Sequence, residues 1–515
     1  MLKHLLKILV ICAVGGIQIA VGQVMTFPSP AGLDPAPDFT VEVNGVEQFV
    51  YDSPVAPFAL FAFKGKVSVR IKASQDAHLG VRQSYTAWNR NIQAVPLRGD
   101  IKKLVVRPLQ AGISTKVEGN TISFTLNKPC QLSIEINDNL TRPLWIFADA
   151  ENPDLPQPND PGIRYFAPGL VHKVGEVQLH DNETVYIPGG AVVVGWIRGE
   201  GVKNARVIGQ GILDGSNHQK VKSQLISLME CHNILFDGLV VLNELGWTIV
   251  PRKSEQITFR NIKLLGWGNN SDGIDISGCS NITVDRCFLR NNDDCITIKA
   301  TIRNQNNDVD GVTVKRSVFW NSRGGNAMEI GFELRTNSIR NVLWQDCDVI
   351  HVEDGAVFSI HNGDWATVEN VCYENIRVED ARDELIDLCV GLSIYSDDCP
   401  FEFSRSNAKR QSITEAMMAQ PTTNNKGVWL RLPEAEMAVR SKNRGQIKNI
   451  IFKDIRVSGD NFPTSIIQGY NDERPIENVT LQGLTIQGLP IINAKQGNFF
   501  IERAVNVRFK GTKAK

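Results

Sequence analysis

The stretch Asn269–Lys299, NNSDGIDISGCSNITVDRCFLRNNDDCITIK, places Asp272, Asp293 and Asp294 beside two short apolar runs, Ile274–Ile276 and Ile296–Ile298. Aligned on their isoleucines, SDGIDI and DDCITI put Asp272 and Asp294 at the same point of successive strands, and neighbouring parallel strands lie about 4.8 Å apart. Two carboxylates one rung apart, with a third alongside, repel one another and raise at least one pKa, so that one acid stays protonated near neutral pH. A protonated carboxyl that can donate to a leaving oxygen, with a carboxylate that can activate water or attack carbon, is what glycoside hydrolysis requires. Turn chemistry or calcium ligation would account for an isolated Asn-Asp, but explains two aligned carboxylates plus a neighbour less well.

The elements that position these acids repeat. NARVIGQG, HNILFDGL, EQITFRNI, SNITVDRC, DGVTVKRS, RNVLWQDC, ENVCYENI, KNIIFKDI, ENVTLQGL and VNVRFKGT share an Asn/polar–Ile/Val–x–apolar pattern. Aligned on Val207, Ile234, Ile257, Ile282, Val312, Val342, Val371, Ile450, Val479 and Val507, they recur every 23 to 30 residues, except for one interval of 79. A period of this length, with short β runs and no helix between them, predicts a solenoid. The leucine/asparagine consensus of leucine-rich repeats is absent, so a right-handed parallel β-helix cored by stacked Ile, Val and Cys is expected over 152–515. The long interval marks an insertion at about 391–445, of the kind that shapes a binding face.

A second strand column, WTIVP, GIDIS, CITIK, AMEIG, VFSIH and LIDLC, aligns on alternating apolar residues. Side chains between the inward ones point out, so one face is expected to present Asp275, Thr297, Glu329, Ser359 and Asp387 in a row. Lys299 and His361 stand in the next row, and Asp272, Asp294 and Asn326 at the strand entrances. By residue type this is a substrate groove, with Lys299, Asn326, Glu329, His361, Asp275 and Trp365 as candidate substrate contacts. Trp247 and Trp267 lie near the column ends, where aromatic rings stack on sugars as readily as they pack. His351 reads as a satisfied turn histidine.

Upstream, 25–151 alternates with period two in TVEVNGV, KVSVRIKA, KLVVRPL, NTISFTL and QLSIEIN, which predicts a β-sandwich. It reads first as a packing or positioning module, with Trp88 and Tyr85 as its candidate carbohydrate contacts, and Asn152–Pro168 reads as a linker or cap. Residues 1–22 look like an export signal, with Lys3, His4 and Lys7 before an apolar run and small residues at Ala20-Val21-Gly22. A secreted or periplasmic protein without a membrane span follows. Export permits disulfides, and Cys389 with Cys399 is one plausible pair. The formal net charge of -1 argues against nucleic acid or anionic membrane as partner. No zinc spacing, phosphate loop or Ser/His/Asp order is present, so no metal or cofactor is expected, and the partner is a polysaccharide or oligosaccharide.

NNSDGIDI followed by NNDDCITI resembles the paired motifs of glycoside hydrolase family 28, the polygalacturonase group, written NTDGxD and xQDDCxA. The chain is also similar to family 49, the dextranases and isopullulanases, which pair an N-terminal β-sandwich with a β-helix and carry an NDDAI motif. The resemblance covers roughly 152–511 and implies a pectin-lyase-like solenoid and an inverting mechanism. It makes Asp293 the general acid and gives Asp272 and Asp294 the water. Two positions depart from family 28. Its Gly-His-Gly falls on Gly324-Gly325-Asn326-Ala327, and its Arg-Ile-Lys on Ser359-Ile360-His361. A serine and a titratable histidine hold a galacturonate carboxylate less well than a fixed guanidinium does, so the chain reads as an outlying member of the clan. Two other readings stay open: a polysaccharide lyase on the same solenoid, which Lys299 keeps possible although the face is acid-rich with few arginines, and a non-catalytic carbohydrate-binding surface solenoid.

Overall fold

A computed structural model describes residues 22–74, 78–79, 95–96, 100–152, 155–216, 224–244, 246–302, 307–400, 428–430 and 432–511. The presumed export signal before residue 22, and Tyr85 and Trp88, lie outside the described residues.

Alternating sequence makes the first layer of the N-terminal sandwich. Val67–Ala73 buries every second side chain and pairs on its two sides with Phe39–Val43 and Thr121–Leu126. The opposing sheet orders Gln23–Met25, Phe58–Lys64, Leu144–Ala150, Cys130–Ile136 and Leu104–Arg107. Inward residues of both sheets, such as Val41, Ile71, Phe61, Ile134 and Ile146, form one apolar core. Phe58–Lys64 and Leu144–Ala150 carry no alternation because both of their faces are covered. Phe58, Leu60, Trp145 and Phe147 turn outward to pack on Val240, Leu265, Phe288, Trp320 and Ile350 of the solenoid.

The rest of the chain is a right-handed parallel β-helix with three strand columns per turn. The repeat sequences form the first column, in which Ile282, Val312, Val342, Val371 and Ile450 stack in register. One rung departs from the expected alignment. Val207 pairs with Phe236 rather than Ile234, a shift of two residues that preserves facing and so leaves the apolar pattern unchanged. The asparagine of the repeat has a physical reason. Asn204, Asn233, Asn281, Asn341, Asn370, Asn449, Asn478 and Asn506 all sit at φ near +57°, a left-handed conformation that Asn tolerates better than most residues. Their amides bond along the stack, as from Asn478 to Asn449 at 3.2 Å and from Asn506 to Asn478 at 3.1 Å.

A middle column, including Val240–Leu242, Lys263–Leu265, Phe288–Asn291, Val318–Asn321 and Asp348–Val352, completes each turn. Its strands are apolar on both faces because the sandwich lies on the outer one, so period-two reading passes over them. The solenoid also starts earlier than the repeats suggest. Ile163–Tyr165, inside the expected linker, already stacks on Thr184–Tyr186. The insertion leaves after Glu384–Val390 and rejoins at Gln446–Lys453, which stacks directly on Thr367–Glu374. Cys389 is a buried free thiol in that last strand before the insertion, and no bridge joins it to Cys399. Its backbone is held in register beside His361 and Gln468, whereas Cys399 packs with the Leu392/Leu430 cluster of the insertion.

Charged pins cross between sandwich and solenoid. Lys263 Nζ lies 2.6 Å from Asp149 Oδ2 with both groups buried, and Arg107 reaches Glu379 at 2.7 Å. His351 is no turn residue. It faces out from Asp348–Val352, with Nε2 2.9 Å from Glu135 of the sandwich and Nδ1 2.8 Å from Asp380. Burial works against its cation, but the hydrogen bonds to Asp380 and Glu135 outweigh it, so its pKa is raised. A raised folded-state value contributes stability that is fully present below the unfolded histidine pKa, about 6.5, and is lost as pH rises through the folded one. The thermal midpoint should therefore fall as pH rises above neutrality, and His351→Gln should flatten that slope. An unchanged slope in the variant, measured by calorimetry across pH 5–9, would remove His351 as its source.

Candidate active site

The ladder of the third column stacks the acid-bearing residues rung by rung. Thr248 N–H donates to Asp272 O at 2.9 Å, Gly273 N–H to Asp294 O at 2.8 Å, and Cys295 N–H to Asn326 O at 2.9 Å. Beyond these entrances the strands Ile274–Ser277, Ile296–Ala300, Met328–Leu334 and Ala356–Asn362 align Asp275, Thr297, Glu329 and Ser359, and Glu384–Val390 adds Asp387. One oxygen from each of Asp272, Asp293 and Asp294 falls within 4.8 Å of the other two. Asp272 and Asp294 are 2% and 7% exposed, while Asp293 is the more open member.

Each acid has different company. Asp272 Oδ2 lies 2.9 Å from Lys299 Nζ, which also reaches Asp275 Oδ1 at 3.1 Å and stands 4.1 Å from the centre of the Trp247 ring. Asp294 Oδ1 accepts the Asn326 N–H at 2.7 Å. Among the described residues Asp293 Oδ1 accepts a single backbone bond, from Asp294 N–H at 3.0 Å. Burial first, then the Asp272 charge, pushes the Asp293 carboxyl up to about 7. Burial, then the charges of Asp293 and Asp272, raises Asp294 well above the usual range, and burial also raises Asp272 against the pull of Lys299. All three carboxyls therefore hold a proton more readily than a free aspartate does. Asp293 is the most open of the three and has a single donor among the described residues, which leaves its oxygens the freest to meet a ligand.

The rest of the expected row is packed rather than open. Asp275, Glu329 and His361 are each 0% exposed and Asn326 is 1% exposed. Glu329 accepts from Asn326 Nδ2 at 3.0 Å and from the Ser359 hydroxyl and lies 3.0 Å from His361 Nδ1, and His361 Nε2 lies 3.0 Å from Asp387. Burial opposes the His361 cation, but Glu329 and Asp387 hold its pKa well above 6.5. Phe332 stacks on the His361 ring at 4.5 Å, and Trp429 of the insertion covers its edge at 5.7 Å. These groups support the acids from below instead of lining a surface. Trp365 is 38% exposed, but it follows Ala356–Asn362 and so stands at the opposite end of the strand column from the acids.

Several supporting residues escaped sequence reading. Asn291 Nδ2 donates to Ser271 O at 2.7 Å, and Asn321 Nδ2 donates to Asp293 O at 2.9 Å and Gly324 O at 2.7 Å. Both end middle-column strands, so they share the invisibility of that column. Glu244 is buried and accepts the Trp267 and Gly268 N–H groups at 2.7 and 2.8 Å, fixing the loop that delivers Asp272, and its own burial lifts it to about 7. Gly325, at φ +62°, lies so close to Asp293 Oδ1 and Asp294 N that a β-carbon would strike both. Gly325→Ala adds a left-handed alanine costing about 1–2 kcal/mol and displaces Asp293. It should lower kcat by about 10²-fold with the fold retained, and normal kcat in a folded variant would contradict this.

The three acids also have the spacing of a metal cage. Calcium takes six to eight oxygens, however, whereas here three carboxylates converge and one already faces an ammonium. The donor set suits a water molecule or a sugar oxygen better than a divalent ion.

The described residues thus form a parallel β-helix that carries a cluster of three aspartates at one strand entrance. The sequence profile of glycosyl hydrolases family 28 matches residues 175–390. Polygalacturonase QRT2 of Arabidopsis thaliana is 24% identical over 210 residues, covering 37% of this chain and 46% of that protein. Probable endopolygalacturonase A of Aspergillus niger is 30% identical over 178 residues, 33% of this chain and 45% of the relative. The chain thus spans less than half the length of these curated relatives. In three dimensions it shares its fold with Dex49A from Penicillium minioluteum, at a TM-score of 0.65 and 15% identity over 94% of this chain and 96% of that one. Over residues 175–390 the chain is thus similar to the family 28 glycoside hydrolases, and its overall fold, a sandwich before a solenoid, is that of Dex49A.

Proposed function

We propose that the chain is an exported glycoside hydrolase that cleaves O-glycosidic bonds of a polysaccharide or oligosaccharide with inversion. Asp293 donates the proton to the leaving oxygen, and Asp272 and Asp294, stacked one rung apart, hold and activate the attacking water. The observation that carries this reading is the convergence of the three carboxyls within 4.8 Å, with the most open one raised to about 7. In their presence an oxocarbenium-like transition state is stabilised by the remaining negative charge. A neutral glycan suits the floor better than a uronate polymer. Lys299 is committed to Asp272 and Asp275, and Ser359 and His361 occupy the positions of the family 28 Arg-Ile-Lys.

The same spacing favours one second reading. Inverting pairs usually stand about 6.5–9.5 Å apart and retaining pairs about 5–5.5 Å, so the tight cluster also suits a double displacement with Asp272 or Asp294 as nucleophile. Product release from a panel of neutral and acidic glycans, followed by NMR of the first-formed anomer, tests both. Inverted product supports the proposal and retained product the alternative. An unsaturated, ultraviolet-absorbing product would replace hydrolysis with a lyase reaction. A chain that binds sugars and releases nothing would be a binding solenoid.

A further inference from the structure

We propose that Lys299 is a positioning residue for this reaction. Held between Asp272 and Asp275 and capped by the Trp247 ring, its ammonium biases Asp272 toward the carboxylate form that can activate water. The inference rests on the hydrolase reading above and assigns Asp272 the base's role within it.

The geometry supports this. Lys299 sits on Ile296–Ala300, two rows beyond the entrance aspartates, and its register partner is Ser277. Its side chain runs back to Asp272 at 2.9 Å and Asp275 at 3.1 Å instead of out of the groove, and it is 5% exposed. The indole of Trp247 covers the ammonium at 4.1 Å, a cation–π contact that also excludes water and so strengthens the attraction to both carboxylates. Two carboxylates and the ring thus already surround much of this ammonium, which is 5% exposed. The charged groups that act on Lys299 are Asp272 and Asp275 on one side, with Glu333 and Asp294 at greater range, and Arg252 from the preceding rung acts on Asp275. Among these carboxylates only Asp272 belongs to the convergent trio while touching the cation.

The consequence concerns which acid ionises. An ammonium at hydrogen-bond distance favours the charged form of Asp272 far more than that of Asp293, which it influences without contact. Removing it leaves Asp272 and Asp275 as a bare buried pair that must take up a proton, and a protonated Asp272 cannot activate water. The loss falls on the acidic limb of the rate profile, because a base whose pKa has risen is titrated away at higher pH.

The test compares Lys299→Met and Lys299→Arg on the glycan that the wild type cleaves. In the Met variant the acidic limb of the kcat/KM profile should move up by about one pH unit or more, with kcat at pH 5 falling at least about tenfold and KM nearly unchanged. The Arg variant should keep the limb in place. A raised KM with an unmoved limb would make Lys299 a substrate ligand instead, and an unmoved KM and limb together would leave it a packing residue. Either result overturns the proposal. Should the Met variant fail to fold, an Asp275→Asn, Lys299→Met double variant leaves one buried carboxylate, and the limb shift must persist in it. Should the wild type cleave no glycan, the hydrolase reading fails separately. Carboxyl ¹³C NMR of Asp-labelled protein still decides the charge assignment: one additional carboxyl must bind a proton above pH 6 in the Met variant, and an unchanged titration sinks the inference.

Discussion

Asp293→Asn is expected to lower kcat by about 10²–10⁴-fold or more on glycans with ordinary sugar leaving groups, while the thermal midpoint holds or rises. The asparagine amide is nearly isosteric, and its oxygen can still accept the Asp294 N–H that Asp293 Oδ1 takes at 3.0 Å. It also removes one member of a cluster in which burial and the Asp272 charge already hold Asp293 at about 7, so folding loses little. What disappears is a donatable proton. An activated aryl glycoside, whose leaving group departs without protonation, should therefore be spared most of the loss. If the variant lost both substrates equally, Asp293 would be acting other than as the acid. If it kept near-normal turnover on both, the assignment of roles would be wrong.

Asp149→Ala is expected to destabilise the fold by about 3–5 kcal/mol, the usual cost of leaving a buried charge without its partner. Asp149 lies on a sandwich strand and receives Lys263 Nζ at 2.6 Å, Asn261 Nδ2 at 3.1 Å and Gln210 Nε2 at 3.1 Å from the solenoid. Lys263 is 0% exposed, and it also donates to the Gly238 carbonyl at 3.1 Å. Truncating Asp149 strands that ammonium, whereas an Asp149→Ala, Lys263→Met double variant removes the charge as well and should regain most of the loss. Denaturant midpoints of the three proteins check this. Equal destabilisation in single and double variants would show that packing, not charge, is at stake.

The solenoid was legible because its core repeats. Val312, Val342, Val371 and Ile450 stack as their spacing implies, and the two acid motifs carry their own alignment in the paired isoleucines Ile274/Ile276 and Ile296/Ile298. What stayed hidden was whatever the sandwich covers. Phe288, Trp320 and Ile350 look like featureless apolar residues, since a strand buried on both faces has no period to read. The same blindness took Asn291 and Asn321, which hold the acid-bearing turns, and made His351 look like a corner residue. Depth was the other loss. Alternation says that Glu329 and His361 point away from the solenoid core, but not that Phe332 and Trp429 then close over the histidine. The partner of Lys299 was equally beyond a pattern, because a four-carbon stem can reach forward or back.

In an unsupported solenoid each turn meets only the turns above and below, so slippage or fraying can start at any joint. Here Asp149, Gln131, Glu135 and Arg107 grip solenoid groups at Lys263, Asn261 and Arg286, His351, and Glu379 in succession. The sandwich therefore behaves as the spine of a bound book, and pages glued along one edge cannot slide past one another. Sliding is the distortion a water held between Asp272 and Asp294 would feel first, since those residues come from adjacent pages. The domain that supplies none of the three clustered aspartates thus sets how still they are kept.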